Sequence, residues 1–295
     1  MITPYLWRSM LYVPANRPSR LQKCARYGAD ALILDLEDSV PDSEKAESRL
    51  LLKQALKEPI WDSAELYGSN GGSERVDLFV RINAMRTRYW REDLEAVIPE
   101  EIFGLKVPKV EEPAKVEELD HAISRIEKAS GIEEGRTKLM LSIETAKGLL
   151  QLSAICAASA RVIGVGFGSE DFMTDTGIDR DNLRYARMQM TLVVKAFGLY
   201  AQDSVYPAFS DLEGLKQETE EAKRMGMDGK TAIHPNQIET IHSVFQPSDA
   251  LLEKAGEICR MAEAENGRVF NYHGEMVDRP IVERYRRLLQ RSREN

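Results

Sequence analysis

Charged side chains follow several short apolar runs in this 295-residue sequence, and their types define the chemistry available. LILDLEDSV presents Asp35, Glu37 and Asp38, FVRIN presents Arg81, and LKVPKV presents Lys109. LSIET ends in Glu144, VGFGSEDF carries Glu170 and Asp171, and TAIHP carries His234. A carboxylate placed directly after an apolar run is partly desolvated, which costs energy unless a cation answers it. Glu144 and Asp171 end successive runs, and two carboxylates that leave most of an octahedron to water and substrate oxygens suit Mg²⁺ or Mn²⁺. Zinc fits poorly, because His121, His234, His242 and His273 show no ligand spacing and Cys24, Cys156 and Cys259 are scattered.

Each of these residues has a plainer reading beside the functional one. Glu144 is equally a helix-capping acid, and Arg81 equally the partner of Asp35 or Glu37 in a salt bridge. Lys109 reads as an ion-pair member or, more sharply, as a desolvated amine able to form a Schiff base. His234 before Pro235 suits a loop or helix start. Asp278, in MVDRP, is an ordinary N-cap on pattern alone. Gly164, Gly166 and Gly168 alternate so as to let backbone N–H groups approach an anion, although no G-x-G-x-x-G fingerprint is completed.

The elements that must hold these groups alternate between short β-prone runs and helical periodicity, the pattern of a parallel sheet. Strands are expected at Ser9 to Val13, Ala31 to Leu36, Leu78 to Ile82 and Phe103 to Val107. Others are expected at Leu139 to Ile143, Val162 to Val165, Asp203 to Tyr206 and Lys230 to Ile233. About eight such strands close an α/β TIM (β/α)8 barrel, whose reactive groups gather at the C-terminal strand ends. Ser210 to Glu213 forms a capping box, and Leu183, Ala186, Met190, Val193 and Phe197 form a stripe expected to pack on the barrel. Gly28 and Gly226 are expected to stop helices. Trp61 to Arg75 reads as a loop on the helix side. The expected organisation is a barrel over 1–246 and a C-terminal helical extension over 247–295, with helices from Leu251 to Glu265 and Ile281 to Gln290 around a loop at 266–280.

Composition narrows the function classes. With 43% hydrophobic and 30% charged residues the chain is not a disordered one. Its net charge of −8 opposes a nucleic-acid backbone. No apolar run is long enough to cross a membrane, no export signal is apparent, and three unpatterned cysteines suit a reducing cytoplasm.

Taken in order, RSMLYVPANRPSR, GADALILDLEDSVP, FVRINA, LKVPKV, LSIETAKGL, IGVGFGSEDF, DSVYPAFSDLEG, DGKTAIHPNQI and GEMVDRPIVERYRRLL resemble the HpcH/HpaI aldolase and citrate lyase β-subunit superfamily, in its malyl-CoA and citramalyl-CoA lyase branch. The resemblance implies a barrel with a C-terminal extension, assembled as a homotrimer or hexamer. It further implies Mg²⁺-dependent carbon–carbon cleavage of an acyl-CoA or acyl-carrier thioester, including the role of a subunit in a citrate lyase complex. Matched residue by residue, it places metal ligands at Glu144 and Asp171 and the substrate-binding arginine at Arg81. It places an acidic proton-transfer residue at Asp278, in a tail that reaches a neighbouring subunit's active site. It assigns the acyl-CoA contact to Tyr12 through Ser19, including Asn16 and Arg17, with Ile233 and His234 near the same ligand. Arg17 and Arg20 would meet CoA phosphates, Glu37 and Asp38 the metal's waters or the arginine, and Lys109 and Glu170 would line the substrate. Two other readings stand beside it: a CoA-independent 2-oxo acid aldolase using the metal or a Lys109 Schiff base, and a non-catalytic subunit that binds a thioester or carrier protein.

Overall fold

The computed structural model describes residues 3–58, 61 and 76–294. Its parallel strands β1 (Ser9–Pro14), β2 (Ala31–Asp35), β3 (Asp77–Arg81), β4 (Gly104–Val107), β5 (Lys138–Ile143), β6 (Val162–Phe167), β7 (Tyr200–Asp203) and β8 (Gly229–Ala232) close into a barrel in sequence order. The last strand returns to the first through Ser9↔Lys230, Met10↔Thr231 and Leu11↔Ala232. Around it lie α1 (Pro18–Leu21), α2 (Lys45–Ala55), α3 (Trp90–Val97), α4 (Pro113–Ala129), α5 (Ala146–Leu150) and α6 (Leu152–Ala157). The set continues with α7 (Ser169–Thr176), α8 (Arg184–Ala196), α9 (Leu212–Arg224) and α10 (Gln237–Phe245). The tail holds α11 (Asp249–Ala264), a hairpin of β9 (Phe270–Tyr272) and β10 (Glu275–Val277), and α12 (Arg279–Glu294). No helix among the described residues is long and apolar enough to cross a membrane.

Strand alternation sorts side chains into two environments. Leu32, Leu34, Val80, Leu105 and Leu141 face outward into the helix layer, where Leu183, Ala186 and Met190 from the expected stripe are also buried. Met10, Ile33, Phe79, Met140 and Tyr200 fill the lower barrel interior. Trp7 closes that end, stacked on Tyr5 at 4.6 Å and edge-on to Phe79 at 5.1 Å, with its indole N–H donating to Asp77 at 2.7 Å. The interior is thus apolar at the bottom and polar at the mouth. Gly28 and Gly226 adopt left-handed backbone at φ 75° and 87°, as their stop positions require.

Two expectations differ from the structure. The seventh strand runs over Tyr200–Asp203, upstream of the expected Asp203 to Tyr206. Its polar residues are internal: Gln202 points into the barrel and Asp203 toward the helices, where it binds Lys230 at 2.6 Å and Arg187 at 3.0 Å. The segment 266–280, expected as a loop, contains the β9–β10 hairpin, whose Phe270, Tyr272 and Val277 join Ile258, Val282 and Tyr285 in a separate apolar cluster. The loop expected over Trp61 to Arg75 lies, apart from Trp61, outside the described residues.

The Asp203–Lys230–Arg187 group is buried with Glu218, which accepts from Lys230 at 2.7 Å. Burial would raise the Asp203 carboxyl, but Lys230 and Arg187 more than offset it and hold it below its usual range. Its ionic contribution is therefore present above the unfolded carboxylate value and lost as pH falls through the depressed one. Replacement by asparagine should destabilise the fold by about 3–5 kcal/mol, since two buried cations lose the fully buried charge they share and keep only Glu218 and Glu221. Urea unfolding checks this; a loss under ~1 kcal/mol would show that the network relaxes.

Candidate active site at the barrel mouth

Asp35, the last residue of β2, is buried and fixes the centre of the rim. Its two oxygens each accept from the Arg81 guanidinium at 2.6 Å, a bidentate fork, and also from the backbone N–H groups of Glu37 at 2.9 Å and Ser39 at 3.1 Å. Arg81 ends β3 opposite it, reaches Glu37 at 3.2 Å and Asp38 at 3.3 Å, and lies 4.5 Å from the centroid of the Tyr12 ring. The salt-bridge reading of Arg81 is therefore what one chain displays, and it leaves the guanidinium rigidly aimed across the mouth.

Lys109 lies beyond β4, its ammonium 2.9 Å from Glu37, 3.2 Å from Asp38 and 3.8 Å from Asp171. Burial alone would lower this ammonium, but Glu37, Asp38 and Asp171 more than reverse that and raise it above the ordinary lysine value. A Schiff base needs the free amine, so the geometry argues against Lys109 as that nucleophile. The amine that burial lowers, to about 7, belongs to Lys106, which the sequence reading passed over. Lys106 is sealed inside the barrel on β4, donating to Gln202 at 2.5 Å. Counting alternate positions inward from Gly104 would have found it.

Glu144 follows β5 and is 5% exposed. It is not the helix cap: Thr145 caps α5, its hydroxyl accepting from the Gly148 N–H at 3.1 Å. The Glu144 Oε2 atom is buried with no hydrogen-bond partner. Burial, with the charges of Glu37 and Asp171, pushes its carboxyl up to about 8. Asp171, in the first turn of α7, stands half exposed beside it and is one of the charges acting on it. Glu170 turns away to pair with Arg180.

The glycine series serves packing rather than anion contact. A Cβ at Gly168 would overlap Glu144 Cγ, one at Gly166 would overlap Lys106 Nζ, and one at Gly164 would come 2.8 Å from Met140 Sδ. The missing side chains make room for the inward groups of neighbouring strands.

A buried carboxylate oxygen without a partner, next to a second and more exposed carboxylate, fits a hard divalent cation that keeps several water or substrate ligands. Among the described residues no three His, Cys, Asp or Glu side chains form a more complete cage. Tyr12, Arg20, Tyr27, Ile233 and His234 line a neighbouring cleft of roughly 170 Å³. His234 is exposed, stacked on Phe209 at 5.0 Å, and its ring nitrogen lies 2.6 Å from Asn236 Oδ1. Asn16 donates to Glu44 at 2.6 Å while its buried Oδ1 lacks a partner, and Arg17 is exposed.

Asp278 is not brought to this rim within one chain. Its Oδ1 accepts from the Ile281 N–H at 3.2 Å, capping α12. Among the described residues no hydrogen bond or ion pair joins it to Arg81, Glu144 or Asp171. The tail instead flanks the opposite end of the barrel, where Arg284, Tyr285 and Leu288 share a cleft with Tyr5, Arg8 and Met227.

An eight-stranded parallel barrel with acids, an arginine and a lysine at its C-terminal mouth defines a class of metal-assisted enzyme site. Residues 8–235 match the HpcH/HpaI aldolase/citrate lyase family, and the chain belongs to it. It is 34% identical over 295 residues to the citrate lyase subunit beta of Haemophilus influenzae, covering 98% of this chain and 97% of that protein. It is 35% identical over 285 residues to a (3S)-malyl-CoA thioesterase of Cereibacter sphaeroides, covering 94% and 90%. Among solved structures, CitE from Mycobacterium tuberculosis in complex with magnesium, acetoacetate and coenzyme A superposes with a TM-score of 0.77 at 30% identity, covering 97% of this chain and 98% of that one.

With Glu144 as a metal ligand, a proton and the ion would compete for it, so Mg²⁺ affinity should strengthen as pH rises toward about 8, the value of its carboxyl, and level off above it. Titration calorimetry between pH 6 and 9 measures this. A pH-independent affinity would mean that Glu144 is not the residue giving up the proton.

Proposed function

We propose that this chain is a divalent-metal-dependent carbon–carbon lyase. Its substrate is a 3-hydroxyacyl thioester of the citramalyl-CoA or malyl-CoA type, or a citryl thioester if the chain works in a citrate lyase complex, and its products are a shorter acyl thioester and a 2-oxo acid. The observation that carries this reading is the unpartnered buried oxygen of Glu144 beside Asp171, within the field of the fixed Arg81 guanidinium. Glu144 and Asp171 would hold Mg²⁺, which supplies Lewis acidity at the oxygens of the oxo-acid half when bound.

The chain's own groups then have separable tasks. The first N–H groups of α7, from Ser169 to Asp171, face the rim and can bind the substrate carboxylate. The C3 hydroxyl gives its proton to a water at the open mouth, the C2–C3 bond breaks, and its electron pair moves into the thioester as an enolate. Arg81, immobilised by Asp35, stabilises that developing charge without reorganising. Asp278 of a neighbouring subunit delivers the proton that the α-carbon then takes up. Tyr12, Asn16, Arg17, Ile233 and His234 border the path of the CoA arm, with Arg17 and Arg20 answering its phosphates. Lys109 completes the charge pattern around the substrate, while Glu170 stays paired with Arg180. Such a site requires an oligomer, for which the family resemblance implies a homotrimer or hexamer, and the free thiols of Cys24, Cys156 and Cys259 suit a reducing cytoplasm.

A second reading, hydrolysis of the thioester, is favoured by the similarity to a malyl-CoA thioesterase. Citramalyl-CoA, malyl-CoA and citryl-CoA assayed with Mg²⁺ separate the two: a lyase releases a 2-oxo acid and a shorter acyl-CoA, a hydrolase free CoA and the intact hydroxy acid. No oxo acid from any of the three would defeat the lyase reading.

Completion of the site between subunits has its own test. Asp278→Asn and Glu144→Gln should each abolish turnover, and Asp278→Asn should also abolish exchange of the acetyl-CoA methyl protons. Mixed and reassociated, the two inactive proteins should recover a measurable fraction of activity, because one subunit contributes an intact rim and its neighbour an intact tail. An inactive mixture whose mixed oligomers are verified by mass would show that a single subunit supplies both residues.

A further inference from the structure

Lys109 has the most unusual backbone of the rim: its φ is 54°, in the left-handed region that a side chain with a Cβ rarely adopts. Its side chain is only 13% exposed and ends among Glu37, Asp38 and Asp171. Strain of this kind persists only where surrounding contacts over-determine it, and here those contacts are carboxylates. The other acids are already committed or isolated. Asp35 is spent on Arg81, Glu37 is shared between Arg81 and Lys109, and Glu144 keeps one oxygen without a partner. The ammonium of Lys109 therefore stands close to one of the two carboxylates that would hold a divalent cation, carrying the same sign of charge as that cation.

We propose that Lys109 is a positioning residue that acts as the resident counter-ion of the rim, making the site weak for a divalent cation alone and coupling cation binding to the arrival of a carboxylate-bearing 2-oxo acid. The inference rests on the metal reading given above. Before substrate binds, the ammonium holds Glu37 and Asp38 in place and opposes a dication at Asp171. The substrate's carboxylate brings the negative charge that the ammonium cancels, so each ligand strengthens the other. Linkage requires the coupling to be reciprocal: the factor by which the oxo acid tightens the metal equals the factor by which the metal tightens the oxo acid. At separations of a few ångströms in a partly buried site, one unit of charge is enough to change cation affinity on the order of tenfold.

Calorimetric titration of Mg²⁺ into the full-length protein, with and without saturating pyruvate as the oxo-acid probe, reads both quantities without turnover. The native protein should bind Mg²⁺ on the order of tenfold more tightly when pyruvate is present. Lys109→Met should bind Mg²⁺ alone on the order of tenfold more tightly than the native protein, and pyruvate should then add a smaller factor than it does in the native protein, the remainder coming from direct contact between the two ligands. Lys109→Arg should restore the native pattern. Lys109→Asn, whose short side chain tolerates left-handed backbone, should behave like Lys109→Met and guards against a methionine variant that folds poorly. Unchanged or weaker Mg²⁺ affinity in both uncharged variants would overturn the proposal, as would an asparagine variant with native coupling. Glu144→Gln keeps the two ideas apart: if it binds Mg²⁺ as the native protein does, the metal reading itself fails, whatever Lys109 does.

Discussion

The barrel mouth holds more negative charge than its own cations answer, and burial pushes up the carboxyls of both Glu37, to about 7, and Glu144, to about 8. Asp35, Glu37, Asp38, Glu144 and Asp171 face Arg81 and Lys109, with Lys106 deeper inside. Arg81 neutralises Asp35 through a two-pronged hydrogen bond, which is the cheapest way to bury both groups. That commitment removes Arg81 from competition for Glu144. A folded chain keeps an isolated buried carboxylate only by protonating it or by recruiting a cation from outside, and the upward shift of Glu144 is the first of these responses. The same imbalance that weakens the fold locally prepares it to bind.

Backbone economy makes that imbalance geometrically possible. Glu144 lies inward because β6 lacks side chains on the facing positions, with Gly168 beside its Cγ and Gly166 beside the Lys106 ammonium. The aromatic plug of Trp7, Phe79, Phe103 and Tyr200 closes the opposite end, so apolar packing that stabilises the barrel is separated from polar groups that serve the mouth. Stability and chemistry occupy different layers of one interior, as expected for a barrel whose reactive groups hang from strand ends.

How much of this was legible in sequence depended on whether the relevant periodicity was apolar. The strands around Ile33, Val80, Leu105 and Leu141 were readable, because outward residues are uniformly aliphatic and the charged group follows directly. Tyr200–Asp203 was misplaced because Gln202 looks like a loop residue until its buried partner Lys106 is known, and Asp203, held by Lys230 and Arg187, reads as the first residue of the strand rather than its last. Lys106 went unnoticed for the same reason: a lysine within a strand reads as an edge residue when the opposing glutamine is nearly a hundred positions away in sequence. The hairpin at 270–277 is only a few residues per strand and is held by α11 and α12 rather than by its own propensity. Partnerships between distant polar residues leave no local signal.

The position of the tail constrains any assembly in which Asp278 serves catalysis. In its own chain that residue caps α12, on a segment that packs near the strand starts, whereas the rim acids follow the strand ends. Val269 and Met276, 61% and 64% exposed on the hairpin, are apolar groups that a single chain leaves in water. A contact joining the tail of one subunit to the rim of the next uses two different surfaces, so it is heterologous, and it terminates only when successive rotations close a ring. A two-fold dimer satisfies such a contact by making it twice in reverse and a larger ring by repeating it head to tail, so in any closed assembly of this kind every rim meets one tail.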